Sequence, residues 1–254
     1  MSKITKKIDR QNIQDIIPLT PMQEGMLFHS LKEKEESFYL EQLSLEILGY
    51  IEPKIFKNTW NHVVETNEML RTVVRWDKLD RPIQIIFKKY NIPVITDDLS
   101  DLDDLTQKAR IEEIKENDIK RGIDIRTRPF RVTLLLTGGN NSTMILTNHH
   151  IMFDGWSTGI ILQEFFEAYN RFLDQDTPPK VNKNRFKQFI KWLDQQDKVA
   201  AQEYWTSYLE GFDRKTILPV TSDIEVEEDS FDNCLVLDKE LTKNINQFLK
   251  ENEI

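Results

Sequence analysis

The stretch FRVTLLLTGGNNSTMILTNHHIMFDGWSTG, residues 130–159, decides the fold of this chain. Two apolar runs flank the Gly-Gly-Asn-Asn set at 138–141, whose residues tolerate positive φ, so the stretch predicts a β-hairpin. The second strand ends in two adjacent histidines, His149 and His150. From Trp156 onward the apolar spacing becomes helical, which places the histidine pair at a strand-to-helix turn.

Apolar periodicity predicts further elements on both sides of this hairpin. Helices are expected over 21–32, from 53 to near 67, and from the acidic run at 97–104 to about 121. Further helices are expected over 186–193, then in a segment that reaches Leu209, and over 240–254. Strands are expected over 38–49, 70–76, 82–87 and 233–239, and a linker over 173–184. The strand at 38–49 alternates, with one face formed by Leu43, Leu45 and Ile47 and the other by Gln42, Ser44 and Glu46.

Composition narrows the class of protein. Hydrophobic residues are 39% and charged residues 30% of 254, which is typical of a globular chain with a core. The formal net charge of −9 and the lack of a basic stripe argue against nucleic acid as a partner. Cys234 is the single cysteine, which predicts a cytoplasmic protein. No apolar run approaches the ~18 residues that a membrane span needs, so we expect no membrane contact.

The two histidines can serve different purposes. Adjacent residues of a strand point to opposite faces, so both cannot face one metal ion without distortion, and we expect no metal site. Alternation predicts that one histidine lies in the core and that the other projects into a cleft, where it could exchange a proton near neutral pH. Asp154 could cap the helix that follows or pair with an arginine, and Gly155 permits a backbone shape that other residues resist. The residues alone leave a catalytic site and a structural turn equally open.

A family resemblance favours the catalytic alternative. The H-H-x-x-x-D-G pattern of residues 149–155 resembles the signature of nonribosomal peptide synthetase condensation domains. Three other segments resemble motifs of the same family, and they occur in its order: LTPMQEGMLFHSL at 19–31, NEMLRTVVRW at 67–76 and EYWTSYLEGF at 203–212.

The resemblance implies an α/β fold of two chloramphenicol-acetyltransferase-like lobes, each a sandwich in which helices flank a mixed sheet. Residues 1–175 would form the N-terminal lobe that carries the histidine motif. Residues 176–254 would form a linker and the first elements of a truncated C-terminal lobe. Members join a carrier-bound aminoacyl or peptidyl thioester to the amine of a carrier-bound aminoacyl acceptor.

The resemblance also assigns roles to residues. His150 is expected to be catalytic and His149 its structural partner, while Asp154 is expected to form a salt bridge with Arg71. Gly155 would let the backbone approach the substrate. Trp156 and Ser157 flank the motif and would line the tunnel between the lobes, although a helix start explains them equally well.

The same resemblance implies partners. No cofactor is expected in the domain itself, because the substrates ride on phosphopantetheine arms of upstream and downstream peptidyl carrier proteins beside an adenylation domain. The N-terminal segment is locally basic through Lys3, Lys6, Lys7 and Arg10, so it is expected either to dock an acidic helix of an upstream synthetase subunit or to be a solvated tail.

Two other functions are open for the same residues. One is a coenzyme A-dependent acyltransferase of the same superfold, against which the segment PMQEGMLFH speaks. The other is a non-catalytic docking fragment, against which the intact His150, Asp154 and Arg71 speak.

Overall fold

The computed structural model describes residues 9–32, 39–180, 183–213 and 235–252. The chain divides into two compact units, Met1–Gln196 and Asp197–Ile254. The basic residues of the predicted docking segment, apart from Arg10, lie outside the described residues, as does Cys234. No helix among the described residues has the length and apolar character required to cross a membrane.

The first unit contains seven strands, five α-helices and two short 3-10 helices among its described residues. The strands are β1 (Ile13–Pro18), β2 (Leu40–Leu48), β3 (Thr72–Arg75), β4 (Ile83–Phe87), β5 (Val94–Asp98), β6 (Phe130–Gly138) and β7 (Asn141–His149). The helices are α1 (Pro21–Lys32), α2 (Pro53–Thr66), α3 (Asp104–Arg121), α4 (Gly155–Leu173) and α5 (Phe186–Asp194). The predicted hairpin, the helix at 21–32 and the helix ending at Arg121 are therefore confirmed.

The strands form two sheets. A mixed four-stranded sheet has the order β2-β7-β6-β5, in which only the β5–β6 pair is parallel, and an antiparallel three-stranded sheet has the order β1-β4-β3. Sequence analysis missed β1 and β5, since both are edge strands of five or six residues whose apolar pattern is weak. Strand β7 is paired on both edges, and eight of its nine residues are buried.

Helices cover both faces of the four-stranded sheet. On one face, Trp60 of α2 packs against Phe165 of α4, with ring centroids 4.8 Å apart, and Phe130 of β6 packs against Trp60. On the other face, Ile111 and Ile114 of α3 pack against a small cluster formed by Leu99, Leu135 and Ile145. β7 thus lies in a sheet that is covered by helices on both faces.

The first unit extends beyond the predicted boundary at residue 175. Helix α5 belongs to it because Ile190 packs against Ile17 of β1 and Ile86 of β4. Lys187 adds an ion pair to Asp15, with Nζ 2.9 Å from Oδ1. Helix α5 is therefore attached to the three-stranded sheet, and the assignment of residues 176–254 to a second lobe stays a prediction.

The second unit contains two described helices, α6 (Lys198–Tyr208) and α7 (Lys239–Glu251). Asp197 and Asp238 cap their N-termini through side-chain hydrogen bonds. The strand predicted over 233–239 is wrong for its described residues, because 235–238 have no regular structure and lead into the cap of α7.

A buried ion pair fixes the last turns of α3 against the sheet. Arg131 Nη2 lies 2.7 Å from Asp118 Oδ1, and the two side chains are only 6% and 10% exposed. Asp118 also accepts hydrogen bonds from Thr147 and from Gln42, while Arg131 donates to the Gly122 carbonyl. Every charge in this cluster is compensated, which is the condition under which burial of an ion pair is tolerated.

Asp118→Ala is expected to lower the free energy of unfolding by about 3 to 5 kcal/mol, because it leaves the Arg131 guanidinium buried without a counter-charge. Urea unfolding at neutral pH measures the loss. Glu112→Ala is the matched control, since Glu112 pairs with Lys115 while it is 63% exposed, and such a pair contributes at most about 1 kcal/mol. Equal losses in the two variants would contradict the assignment of Asp118 to the core.

Candidate functional site

The central strand β7 delivers the two histidines in opposite directions. His149 is its last residue and is 6% exposed, whereas the His150 side chain is 31% exposed. The backbone N–H of His150 donates to the Tyr39 carbonyl, which keeps the turn attached to β2. The structure therefore agrees with the expectation that one histidine is buried and the other projects outward.

His149 is held on both ring nitrogens. Its Nδ1 accepts a hydrogen bond of 3.1 Å from the backbone N–H of Ile151, so the ring proton lies on Nε2. Nε2 is 3.1 Å from the hydroxyl of Ser30, which itself donates to the Met26 carbonyl. Burial, followed by the charge of His150, lowers the pKa of His149 to about 4. This geometry supports a neutral, structural His149.

Helix α1 also holds the turn by its first residues. Thr20 and Gln23 form a capping box, in which each side chain accepts a hydrogen bond from the backbone N–H of the other. The Gln23 amide then donates to the Ile151 carbonyl at 3.0 Å and bonds with Gln84 of β4. The histidine turn is thus tied to both sheets through buried amide groups.

His150 contacts a carboxylate that sequence analysis did not select. Its Nδ1 lies 2.6 Å from Glu41 Oε1, and the Asn148 amide donates to Glu41 Oε2 at 3.0 Å. Nε2 has no hydrogen-bond partner among the described residues. Glu41 lies on the apolar face of β2 with Leu43 and Leu45. A charged residue on an otherwise apolar face is the sequence signal by which Glu41 could have been selected as a site residue.

Asp154 acts as the helix cap that the residues alone allowed. The backbone N–H and the hydroxyl of Ser157 donate to Asp154 Oδ1 at 2.9 and 2.7 Å, and these bonds hold the pKa of Asp154 below its usual value. Ser157 is therefore explained by the helix start. Trp156 is 88% exposed, so its aromatic ring is accessible to solvent beside the motif.

The predicted salt bridge between Asp154 and Arg71 is wrong. Asp154 is exposed and bonds to its own helix, whereas Arg71 is 8% exposed and donates to Gln14 Oε1 and to the Phe87 carbonyl. Arg71 ends a short 3-10 helix, and both of its acceptors belong to strands of the three-stranded sheet. The two side chains thus have separate sets of hydrogen-bond partners, Ser157 for Asp154 and Gln14 and Phe87 for Arg71.

Gly155 also differs from its expectation. It is the first residue of α4, it has no positive φ, and a Cβ there would meet no atom within 4 Å. The backbone shape at this position is therefore open to other residues. The approach of substrate to Gly155 stays a prediction.

Within the described residues, no group of three or more His, Cys, Asp or Glu side chains is arranged to hold a metal ion.

Acidification is expected to destabilise the fold through His149. Because its pKa drops from the ordinary 6.5 to about 4 on folding, the unfolded chain binds more protons between these values. The stabilisation is complete above about pH 6.5 and is lost as the pH falls toward 4, by roughly 3 kcal/mol in total. Urea midpoints measured across this range should fall more steeply in the wild type than in His149→Gln. His29→Gln is the control, since His29 is exposed, and an unchanged slope in His149→Gln would refute the assignment.

Arg71→Ala and Asp154→Ala are expected to destabilise the chain independently. Loss of Arg71 removes its hydrogen bonds to the half-buried Gln14 and Phe87, at about 1 to 3 kcal/mol, and loss of the Asp154 cap costs about 1 kcal/mol. In a double-mutant cycle measured by urea unfolding, the two losses should add to within about 0.5 kcal/mol. A larger coupling energy would mean that the two side chains meet in solution.

Comparisons with known proteins identify the same family that the sequence motifs resemble. The Condensation domain family model matches residues 13–254. Surfactin synthase subunit 3 of Bacillus subtilis (strain 168) is 36% identical over 211 residues, which cover 83% of this chain and 16% of the relative. Bacitracin synthase 3 of Bacillus licheniformis is 34% identical over 221 residues, which cover 87% of this chain and 4% of the relative. The chain thus spans only a small part of these curated relatives.

Solved structures share the fold. The starter condensation domain of rhizomide synthetase superposes with a TM-score of 0.68 at 20% identity, covering 77% of this chain and 50% of that chain. The first condensation domain of the calcium-dependent antibiotic synthetase, in complex with a substrate analogue, gives a TM-score of 0.68 at 17% identity, covering 80% and 51%. These likenesses confirm the predicted fold class of a mixed sheet flanked by helices. Together with the match over residues 13–254, they show that the chain belongs to the condensation domain family of nonribosomal peptide synthetases.

Proposed function

We propose that this domain forms a peptide bond between a carrier-bound aminoacyl or peptidyl thioester and the amine of a carrier-bound aminoacyl acceptor, with His150 at the reacting centre. The observation that carries the proposal is the imidazole of His150 at the end of β7, which is bonded to Glu41 through Nδ1 while its Nε2 lacks a partner among the described residues. Membership of the family supports the class of reaction.

The reaction requires one bond to form and one to break. The acceptor amine attacks the carbonyl carbon of the donor thioester, a C–N bond forms, and the C–S bond breaks. The nitrogen loses one proton and the departing thiolate gains one, so no oxidant, reductant or further reactant is needed. The peptide chain then rests on the downstream carrier.

His150 Nε2 supports two contributions to this step. It can accept a hydrogen bond from the amine and hold its lone pair toward the carbonyl carbon, and it can take the proton as the C–N bond forms. An α-amine has an ordinary pKa of about 8, so a useful fraction is neutral before it attacks. Orientation of the amine is therefore at least as important as removal of its proton.

Residues around His150 have supporting roles in the proposal. His149, locked between Ser30 and Ile151, fixes the backbone from which His150 projects. Asp154 starts α4, so that Gly155 and the exposed Trp156 lie at the rim of the turn. A large exposed indole beside the motif suits the lining of a substrate tunnel.

Partners complete the proposal. Upstream and downstream peptidyl carrier proteins would present their substrates on phosphopantetheine arms, next to an adenylation domain, and the domain itself would bind no cofactor. The basic N-terminal segment would receive an acidic helix of an upstream synthetase subunit. The single cysteine supports a cytoplasmic setting for these encounters.

His150→Ala, in the natural protein that contains this segment, is expected to lower the rate of peptide-bond formation by about 10²- to 10⁴-fold, the contribution typical of a positioned acid or base. The rate is measured by mass spectrometry of the downstream carrier after both carriers have been loaded. Loading of either carrier should be unchanged.

His149→Ala is the matched control for an alanine at the adjacent position. It is expected to lower the thermal midpoint, because loss of the ring leaves a cavity and removes the hydrogen bonds with Ser30 and Ile151. A stable, inactive His149→Ala beside an active His150→Ala would reverse the two roles. Transfer from free acyl coenzyme A to a soluble amine, with none between carriers, would replace the proposal by the coenzyme A alternative.

A further inference from the structure

We propose that Glu41, oriented by Asn148, is a positioning residue that holds the His150 imidazole as the Nδ1–H tautomer, so that Nε2 presents its lone pair to the substrate amine. The catalytic consequence depends on the proposed function, whereas the tautomer itself can be observed without any activity.

The register of the sheet brings the three side chains together. Glu41 of β2 is the direct cross-strand partner of Asn148 of β7, so their side chains project from the same face. His150 follows two residues after Asn148 and is on the same side of the chain, whereas His149 is on the other. A carboxylate at this register position therefore meets the outward-facing histidine and not the buried one.

The hydrogen bonds determine where the ring proton lies. An ionised carboxylate only accepts hydrogen bonds, so the Asn148 group that faces Glu41 Oε2 is its NH₂, and the His150 atom that faces Oε1 is Nδ1–H. A neutral imidazole carries a single ring proton. With that proton on Nδ1, Nε2 is left with a free lone pair.

The distance indicates a strong contact. Nδ1 and Oε1 are 2.6 Å apart, at the short end for a hydrogen bond assisted by charge. Asn148 is 3% exposed and anchors the second oxygen, which stops the carboxylate from rotating away. Glu41 is 40% exposed, so it belongs to the rim of the site and not to the core.

His149 provides an internal contrast. Its Nδ1 accepts a hydrogen bond from Ile151, so it carries the opposite tautomer, Nε2–H. Two adjacent histidines thus have their protons on different nitrogens because their partners differ. A backbone N–H fixes one tautomer, and a carboxylate from a neighbouring strand fixes the other.

Glu41→Gln is the decisive variant, since it removes the charge and keeps the shape. Asn148 continues to donate to the side-chain oxygen, so the new NH₂ group faces His150 Nδ1. Nδ1 then has to accept a hydrogen bond, and the ring proton moves to Nε2. An Nε2–H imidazole cannot accept a hydrogen bond from the amine or take its proton.

Long-range ¹⁵N–¹H correlation spectra of histidine-labelled chain, recorded at roughly pH 9 where free imidazole is neutral, measure the tautomers directly. The chain has four histidines, so single substitutions assign the signals. The wild type should give Nδ1–H for His150 and Nε2–H for His149. In Glu41→Gln the His150 signals should exchange while those of His149 stay unchanged.

The condensation rate in the natural protein that contains this segment provides the second readout. Glu41→Gln should lower the rate at least about 10²-fold, as replacement of a histidine-orienting carboxylate by its amide does elsewhere. Glu46→Gln is the matched control, because Glu46 lies on the same strand, is exposed, and undergoes the same change of charge. It should retain both the wild-type tautomers and the wild-type rate.

Each outcome decides the inference. Exchange of the His150 tautomer together with loss of rate supports it. An Nε2–H tautomer at His150 in the wild type, an unchanged tautomer in Glu41→Gln, or an exchanged tautomer with unchanged rate overturns it. If the wild type forms no peptide bond, the proposed function fails, and the spectra alone decide whether Glu41 holds the tautomer.

Discussion

The period-two alternation at the end of β7 is the constraint on which the site depends. β7 is hydrogen-bonded on both edges, to β2 and β6, and nearly all of its side chains are buried. A slip of one residue would exchange every inward side chain between the two faces, so the register is strongly specified. Consecutive histidines at this position must therefore diverge. His149 is buried, and His150 faces the Glu41 side chain of the neighbouring strand β2.

Helix α1 fixes the position of the histidine turn through hydrogen bonds. Gln23 and Ser30 are seven residues apart, close to two full turns, so both project from one face of the helix. The first holds the Ile151 carbonyl and the second holds His149 Nε2. Because Gln23 also bonds with Gln84, the three-stranded sheet contributes to the position of a turn that belongs to the four-stranded one. A substitution in β4 can therefore disturb the histidines without any direct contact.

Local signals predicted much of the fold and part of the site. The Gly-Gly-Asn-Asn turn, the stripe of α2 and the cap at the start of α4 depend on neighbours within a few residues, and each appears in the structure. The contact of Glu41 with His150 joins residues 109 positions apart. It follows from the pairing of β2 with β7, which the sequence pattern does not specify. The wrong pairing of Arg71 with Asp154 has the same origin, since family motifs indicate which residues occur but not which neighbours satisfy their hydrogen bonds.

The contrast between the two rings also explains how an outward-facing histidine can sit beside a buried one. Any charge on His150 acts through space on His149 and disfavours a second proton there, adding to the effect of burial. A positive charge on His150 therefore favours the neutral state of His149, in which its ring is hydrogen-bonded with Ser30. Glu41 is hydrogen-bonded to the outer ring only, but its charge also acts through space on His149, where it raises the pKa and opposes the effect of His150. The alternation of a single strand therefore gives two adjacent rings different hydrogen-bond partners, although the charges of His150 and Glu41 still act on His149 through space.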